Sequence, residues 1–188
     1  MNTRRTLGLW ALSACLTLPL LAHAQAAPKV AFQTSMGTVV VQLDPAKAPE
    51  TVKNFLQYVN DGHYNGTVFH RIIPSFMVQG GGFTVDNHQK PTRAPIAIES
   101  NNGLKNQRGT IAMARTMDPN SATAQFFINV VDNGFLNYSA PTMVGYGYTV
   151  FGKVISGMEV VDKIRATPTG AQDRPLTPVT ILKATSEK

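Results

Sequence analysis

From Lys29 onward the chain is a succession of short β-rich runs with little helical pattern between them. KVAFQTSMGTVVVQL holds two runs around a Thr34-Ser35-Met36-Gly37 turn and reads as a hairpin. TVFHRII, FMVQ, GTIAMA, AQFFINVV, YTVFGKVI and VTILKA follow, separated by segments rich in Gly, Asn, Asp and Pro. Parallel neighbours would need crossovers of a dozen or more residues, normally helices alternating with the strands. That alternation is missing, so the predicted sheet is antiparallel. No run is marked as an edge, which favours closure into a barrel. Two helices stand apart from the strands. In APETVKNFLQYVNDGHY, Pro49 suits a first turn, and Val52, Phe55, Leu56 and Val59 share one face before Gly62 ends the run. In SGMEVVDKIRA, Met158, Val161 and Ile164 do the same, with Pro168 shortly beyond. The expected fold is mainly β, an eight-stranded antiparallel barrel capped by two α-helices.

Residues 1–26 read as a cleaved secretory leader rather than as part of that fold. MNTRR is basic, TLGLWALSACLTLPLL is uncharged and largely apolar, and AHAQA offers cleavage after Ala24 or Ala26. A retained membrane anchor would need about 20 apolar residues, and this run is shorter and contains Pro19. Leu12-Ser13-Ala14-Cys15 resembles a lipoprotein box, the lesser alternative, because the chain stays apolar through Leu21 where a lipoprotein turns polar. Arg4-Arg5 gives only a partial twin-arginine signal. The expectation is a periplasmic protein with one domain over 27–188 and no stable membrane association.

Cys15, the single cysteine, departs with the leader, so disulfides, thiolate catalysis and cysteine-based metal sites are excluded from the mature chain. Loss of Arg4 and Arg5 lowers the formal charge from +6 to +4. The basic residues are scattered and not interleaved with aromatics, which argues against nucleic-acid binding. Gly80-Gly81-Gly82 lacks the lysine and hydroxyl residue of a phosphate loop and reads as a bend or a close backbone approach. His63, His70 and His88 have no metal-ligand spacing and read as structural or surface residues; no metal or cofactor is expected. No G-x-S-x-G elbow is present, and Ser75 after Pro74 reads as a turn residue.

Arg71 is the anomaly. In FHRIIPSFMVQGGGF simple alternation places Phe69, Arg71 and Ile73 on one face, so a permanent cation points where apolar side chains point. Unpaired burial of a guanidinium is costly, so it must reach water or line a cleft that brings it an acceptor. Phe76, Met77, Phe127 and Leu136 are core residues by periodicity alone; with Arg71, Gln79 and Gln125 they form a set that combines apolar residues with hydrogen-bonding groups.

FHRIIPSFMVQGGGF resembles the central signature of the cyclophilins, the peptidyl-prolyl cis-trans isomerases. The similarity continues through GTIAMAR, AQFFIN, FLN and VFGKV, from about Lys29 to Thr185. The resemblance implies an active site on the outer surface of the barrel. It makes Arg71 the catalytic arginine, Phe76, Met77, Phe127 and Leu136 the walls of a proline pocket, and Gln79 and Gln125 polar groove residues, with Gln79 orienting Arg71. Ala114 would line the neighbouring groove. Phe135, Tyr148 and Arg115 complete the implied substrate-binding set and stand where many eukaryotic members have tryptophan, histidine and asparagine, choices that resemble the secreted bacterial branch. The implied partners are proline-containing, unfolded or partly folded exported proteins, bound by a monomer. Cyclosporin binding is expected to be weak, because Phe135 lacks the indole N–H that can donate to the inhibitor. Two rivals have different expectations: a chaperone that holds proline-containing segments without turnover, and a lipocalin-like carrier with an open lumen.

Overall fold

The computed structural model describes residues 27–187. The expected leader, 1–26, lies outside the described residues. Eight strands run β1 Lys29–Thr34, β2 Gly37–Leu43, β3 Thr67–Ile73, β4 Met77–Thr84, β5 Thr110–Met113, β6 Phe126–Asn129, β7 Val150–Ser156 and β8 Thr180–Glu187. They close into a barrel in the order β1-β2-β7-β5-β6-β4-β3-β8, every pair antiparallel. Closure leaves no strand edge to be protected. The two expected helices are present, α1 over Pro49–Asn60 and α2 over Met158–Arg165.

The barrel interior is a packed core. Phe32, Phe69, Phe126, Ile72, Ile111, Ile128 and Phe151 are each no more than 1% exposed, and Phe55 from α1 and Tyr64 close over them. Phe32 and Phe126 stack at 5.2 Å, while Phe55 meets Phe151 at 4.9 Å. A lumen filled in this way has no room for a carried ligand, which removes the lipocalin-like reading. Gly81 lies at this aromatic layer with φ +83°, and a Cβ there would stand 2.8 Å from the Tyr64 ring and 2.9 Å from Phe126. The glycine triplet is therefore a close backbone approach. It belongs to β4 rather than to a bend, since that strand continues to Thr84.

Simple alternation fails in β3. Phe69 pairs with Gly80 and Arg71 with Gln79, so two residues of β3 oppose one of β4 and His70 is the extra one. The bulge reverses the parity of the strand. Phe69 and Ile72 enter the barrel core, whereas Ile73 packs against a second apolar cluster outside it and Arg71 lines the pocket there. Phe69 and Arg71 do not share a face, contrary to the sequence expectation.

Candidate active site

Four strands build one wall of the site by register. Arg71 pairs with Gln79, Gln79 with Phe127, and Phe127 with Ala112, giving a transverse row across β3, β4, β6 and β5. Paired residues direct their side chains to the same sheet face, here the outer one, because their neighbours Val78, Phe126, Ile128 and Ile111 fill the interior. Met77, Ala112, Phe127, Leu136 and Val150 form a small apolar cluster separate from the barrel core, with Ile73, Phe76, Ala114 and Tyr148 packed against it. Phe127 is 4% exposed and Met77 2%, so these walls are fixed by packing on one side while bordering a cavity on the other.

The opposite wall comes from loops. Leu136 lies in a single 3-10 turn, Gly134–Leu136, which Asn106 ties down by donating from its side-chain amide to the Leu136 carbonyl at 3.0 Å. The Tyr148 backbone N–H donates to the same carbonyl, also at 3.0 Å. Gly147 makes this approach feasible: its φ is +58°, and a Cβ would come within 2.2 Å of the Leu136 oxygen. The Tyr148 ring then meets Phe127 edge-on at 5.6 Å.

The resulting cavity measures about 350 Å³ and is lined by His70, Arg71, Phe76, Met77, Gln79, Ala114, Arg115, Phe127, Leu136 and Tyr148. Nine of the eleven residues expected from the sequence converge there. Gln125 lines an adjoining cavity of about 330 Å³ that shares Gln79, Ala114 and Arg115 with the first. Phe135 stands on the rim, 75% exposed and stacked on Phe76. A larger cavity of about 450 Å³ lies elsewhere, among Leu104, Lys105, Lys153 and Asp44. It contains no counterpart of the guanidinium above an aromatic floor, so size does not decide the site.

The polar contacts sort the roles. Arg71 donates from Nε to Asp173 Oδ2 at 3.2 Å, and Gln79 donates from its amide to Gln125 Oε1 at 3.0 Å. The bond expected between Gln79 and Arg71 is replaced by these two. Arg115 lines the pocket, but its donors go to backbone oxygens: Nε to Gly147 at 2.7 Å, one Nη to Thr116 at 2.8 Å, and the other Nη to Met143 at 3.0 Å. Its guanidinium also lies 4.9 Å from the centre of the Tyr148 ring. Arg115 thus clips the pocket loops together. His70, expected to be a structural or surface residue, borders the cavity, placed there by the bulge. Burial pushes its imidazole down to about 4, with the charges of Arg174 and Arg71 acting in the same direction, so it is neutral at pH 7. Among the described residues no group of three His, Cys, Asp or Glu side chains is placed to hold a metal ion, and no helix is long and apolar enough to cross a membrane.

A pocket with apolar walls, a hard aromatic floor and, in Arg71, a guanidinium whose Nη donors are not spent on the loops can hold a small ring and hydrogen-bond to the amide beside it. The family model for cyclophilin-type peptidyl-prolyl cis-trans isomerases matches residues 29–186. A Streptomyces antibioticus peptidyl-prolyl cis-trans isomerase is 57% identical over 159 residues, covering 82% of this chain and 96% of that one. Peptidyl-prolyl cis-trans isomerase B of Escherichia coli is 60% identical over 141 residues, covering 75% and 86%. Among solved structures, a Cryptosporidium parvum cyclophilin crystallised in the presence of the dipeptide Ala-Pro superposes with a TM-score of 0.71 at 26% identity, covering 85% of this chain and 99% of that one. Barrel, pocket and sequence agree, and the chain belongs to the cyclophilin family of peptidyl-prolyl cis-trans isomerases.

Proposed function

We propose that this isomerase accelerates X-Pro isomerisation in exported proteins as they fold in the periplasm, working as a monomer by noncovalent stabilisation of the twisted amide. Amide resonance sets a barrier of roughly 18–20 kcal/mol, and an unassisted X-Pro bond turns over in tens to hundreds of seconds. No bond need break. At the barrier top conjugation is lost, so the prolyl nitrogen becomes pyramidal and regains a lone pair. A guanidinium donor near that nitrogen and the adjoining carbonyl binds the twisted state better than the planar one, and only such differential binding raises the rate. Phe76, Met77, Phe127 and Leu136 hold the proline ring, while the groove beside Ala114, Gln79 and Gln125 accommodates the flanking chain. Within a partly dehydrated pocket the contact with Arg71 is stronger than in water.

The observation that carries this reading is the row Arg71, Gln79, Phe127, Ala112, which sets the cation at the lip of an apolar pocket. The Cryptosporidium parvum protein was crystallised in the presence of Ala-Pro, a dipeptide whose ring and amide have the chemistry this pocket suits. Export is supported by the basic, apolar and small-residue zones of residues 1–26. Two measurements test the proposal. A protease-coupled assay with a short X-Pro peptide is expected to show turnover by the chain begun at Ala27, and binding without turnover would make the protein a holdase. Fractionation of cells expressing the full chain, with N-terminal sequencing, is expected to recover a periplasmic form starting at Gln25 or Ala27; an uncleaved cytoplasmic chain would overturn the export reading.

A further inference from the structure

The Arg71 side chain is held from a part of the sequence that none of the matching motifs includes. Its Nε donates to Asp173, 102 residues away, and this is the one hydrogen bond its guanidinium makes among the described residues. Asp173 closes a 3-10 turn, Ala171–Asp173, that packs beside β3. The turn is pinched between a bridge joining Thr169 to Pro175 and a hydrogen bond from the Gly170 N–H to the Arg174 carbonyl at 2.8 Å. Within it Gln172 and Asp173 have φ of +61° and +60°. Two successive side-chain-bearing residues in the left-handed region carry a conformational cost, and such cost concentrates where function depends on it.

Stability does not account for the arrangement. Arg71 and Asp173 are 43% and 44% exposed, and ion pairs at that exposure contribute little. Placement does account for it. A free arginine side chain samples many rotamers, whereas a carboxylate fixed on Nε defines the plane of the guanidinium and leaves both Nη nitrogens free to donate. We propose that Asp173 is a positioning residue for the isomerase reaction, holding Arg71 so that its Nη groups meet the prolyl amide. The inference rests on the reading of Arg71 as the catalytic residue. Asp173 itself does not line the pocket; it lowers the entropy that Arg71 would otherwise lose at the transition state. An amide at this position retains the acceptor without the charge, which separates positioning from a general electrostatic effect.

The test uses the chain begun at Ala27 and its Asp173→Ala, Asp173→Asn, Arg71→Ala and doubly substituted Arg71→Ala/Asp173→Ala forms, assayed on a short X-Pro peptide and melted in parallel. Asp173→Ala is expected to lower kcat/KM about tenfold, mainly through kcat, since misplacing a reacting group weakens the transition state more than substrate binding. Asp173→Asn is expected to stay within about threefold of the parent, and melting of both within about 2 °C. The Arg71 Nε–H resonance is expected to shift and exchange faster in Asp173→Ala than in Asp173→Asn. In the Arg71→Ala background, removal of Asp173 is expected to change nothing further. An Asp173→Ala form as active as the parent, beside an Arg71→Ala form that has lost activity, overturns the positioning role and leaves the catalytic reading intact. An Arg71→Ala form with parental activity overturns the catalytic reading, and this inference with it.

Discussion

Phe76 and Phe135 stack at the mouth of the pocket, their ring centres 5.6 Å apart and their planes inclined by 25°. Phe76 is a pocket wall, and Phe135, 75% exposed, extends that wall outward without offering a donor. A tryptophan at 135 would keep the apolar face and add an indole N–H. A neutral hydrogen bond is worth about 0.5–1.5 kcal/mol net, and leaving a ligand carbonyl unpaired costs roughly 1–3 kcal/mol. Phe135→Trp is therefore expected to tighten cyclosporin binding by about one to two powers of ten, measured by calorimetry, with peptide turnover nearly unchanged. Equal affinity in parent and variant would place the difference in Arg115, Tyr148 or the 137–146 loop instead.

Phe127 is both pocket floor and packing. It belongs to the apolar cluster with Met77, Leu136 and Val150 and meets Tyr148 edge-on. Phe127→Ala is expected to raise KM and also to lower stability, since truncating a buried aromatic costs about 3–5 kcal/mol. Denaturant titration alongside kinetics reads both. Unchanged melting with unchanged turnover would remove Phe127 from the site.

Arg115 spends its donors on the carbonyls of Thr116, Met143 and Gly147. Arg115→Ala is expected to speed hydrogen exchange at residues 142–148 and to raise KM more than it lowers kcat, because the clip shapes the pocket while its donors are held by backbone carbonyls. A loss confined to kcat, with exchange unaltered, would instead indicate direct contact with the amide.

His70 gives the fold an acid sensitivity. Its imidazole, depressed by burial to about 4 from 6.5, remains neutral in the native state over a range in which the unfolded chain takes up a proton. The unfolded state binds more protons between those values, so stability is fully present above about pH 6.5 and falls as pH drops toward 4, by at most about 3 kcal/mol. His63 is shifted the same way, again chiefly by burial. Replacing His70 with Gln is expected to flatten the slope between pH 6.5 and 4 relative to the parent, read by urea unfolding at fixed pH. Superimposable slopes would show that His70 does not titrate differently on unfolding.

The barrel and both helices were legible because each is a repeating local pattern. Val52, Phe55 and Val59 turn up on the buried face of α1, and the turn at Ser35 and Met36 joins β1 to β2. What escaped the sequence depends on a single inserted residue or on distant contacts. The bulge at His70 reverses the parity of β3, and periodicity has no signal for one extra residue. Gly81 lies within a strand because Tyr64 and Phe126 leave no space for a side chain, a fact about three segments at once. The walls Phe76, Met77, Phe127 and Leu136 read individually as core, and only the family resemblance gave the set a shared pocket before the cavity did. Asp173 carries no local signature at all, since its partner is 102 residues away.

The central claim is that the Arg71 guanidinium, and not the pocket alone, speeds the reaction. Arg71→Ala in the chain begun at Ala27 tests it directly, with kcat/KM for a short X-Pro peptide and the melting temperature measured on one preparation. Loss of one well-placed electrostatic donor typically costs about 10²–10³-fold in rate, whereas a 43% exposed arginine supports little of the core. The account predicts a fall in kcat/KM of about a hundredfold or more with melting within about 2 °C of the parent. Activity close to the parent's in a folded variant, or activity lost only in step with stability, would contradict it.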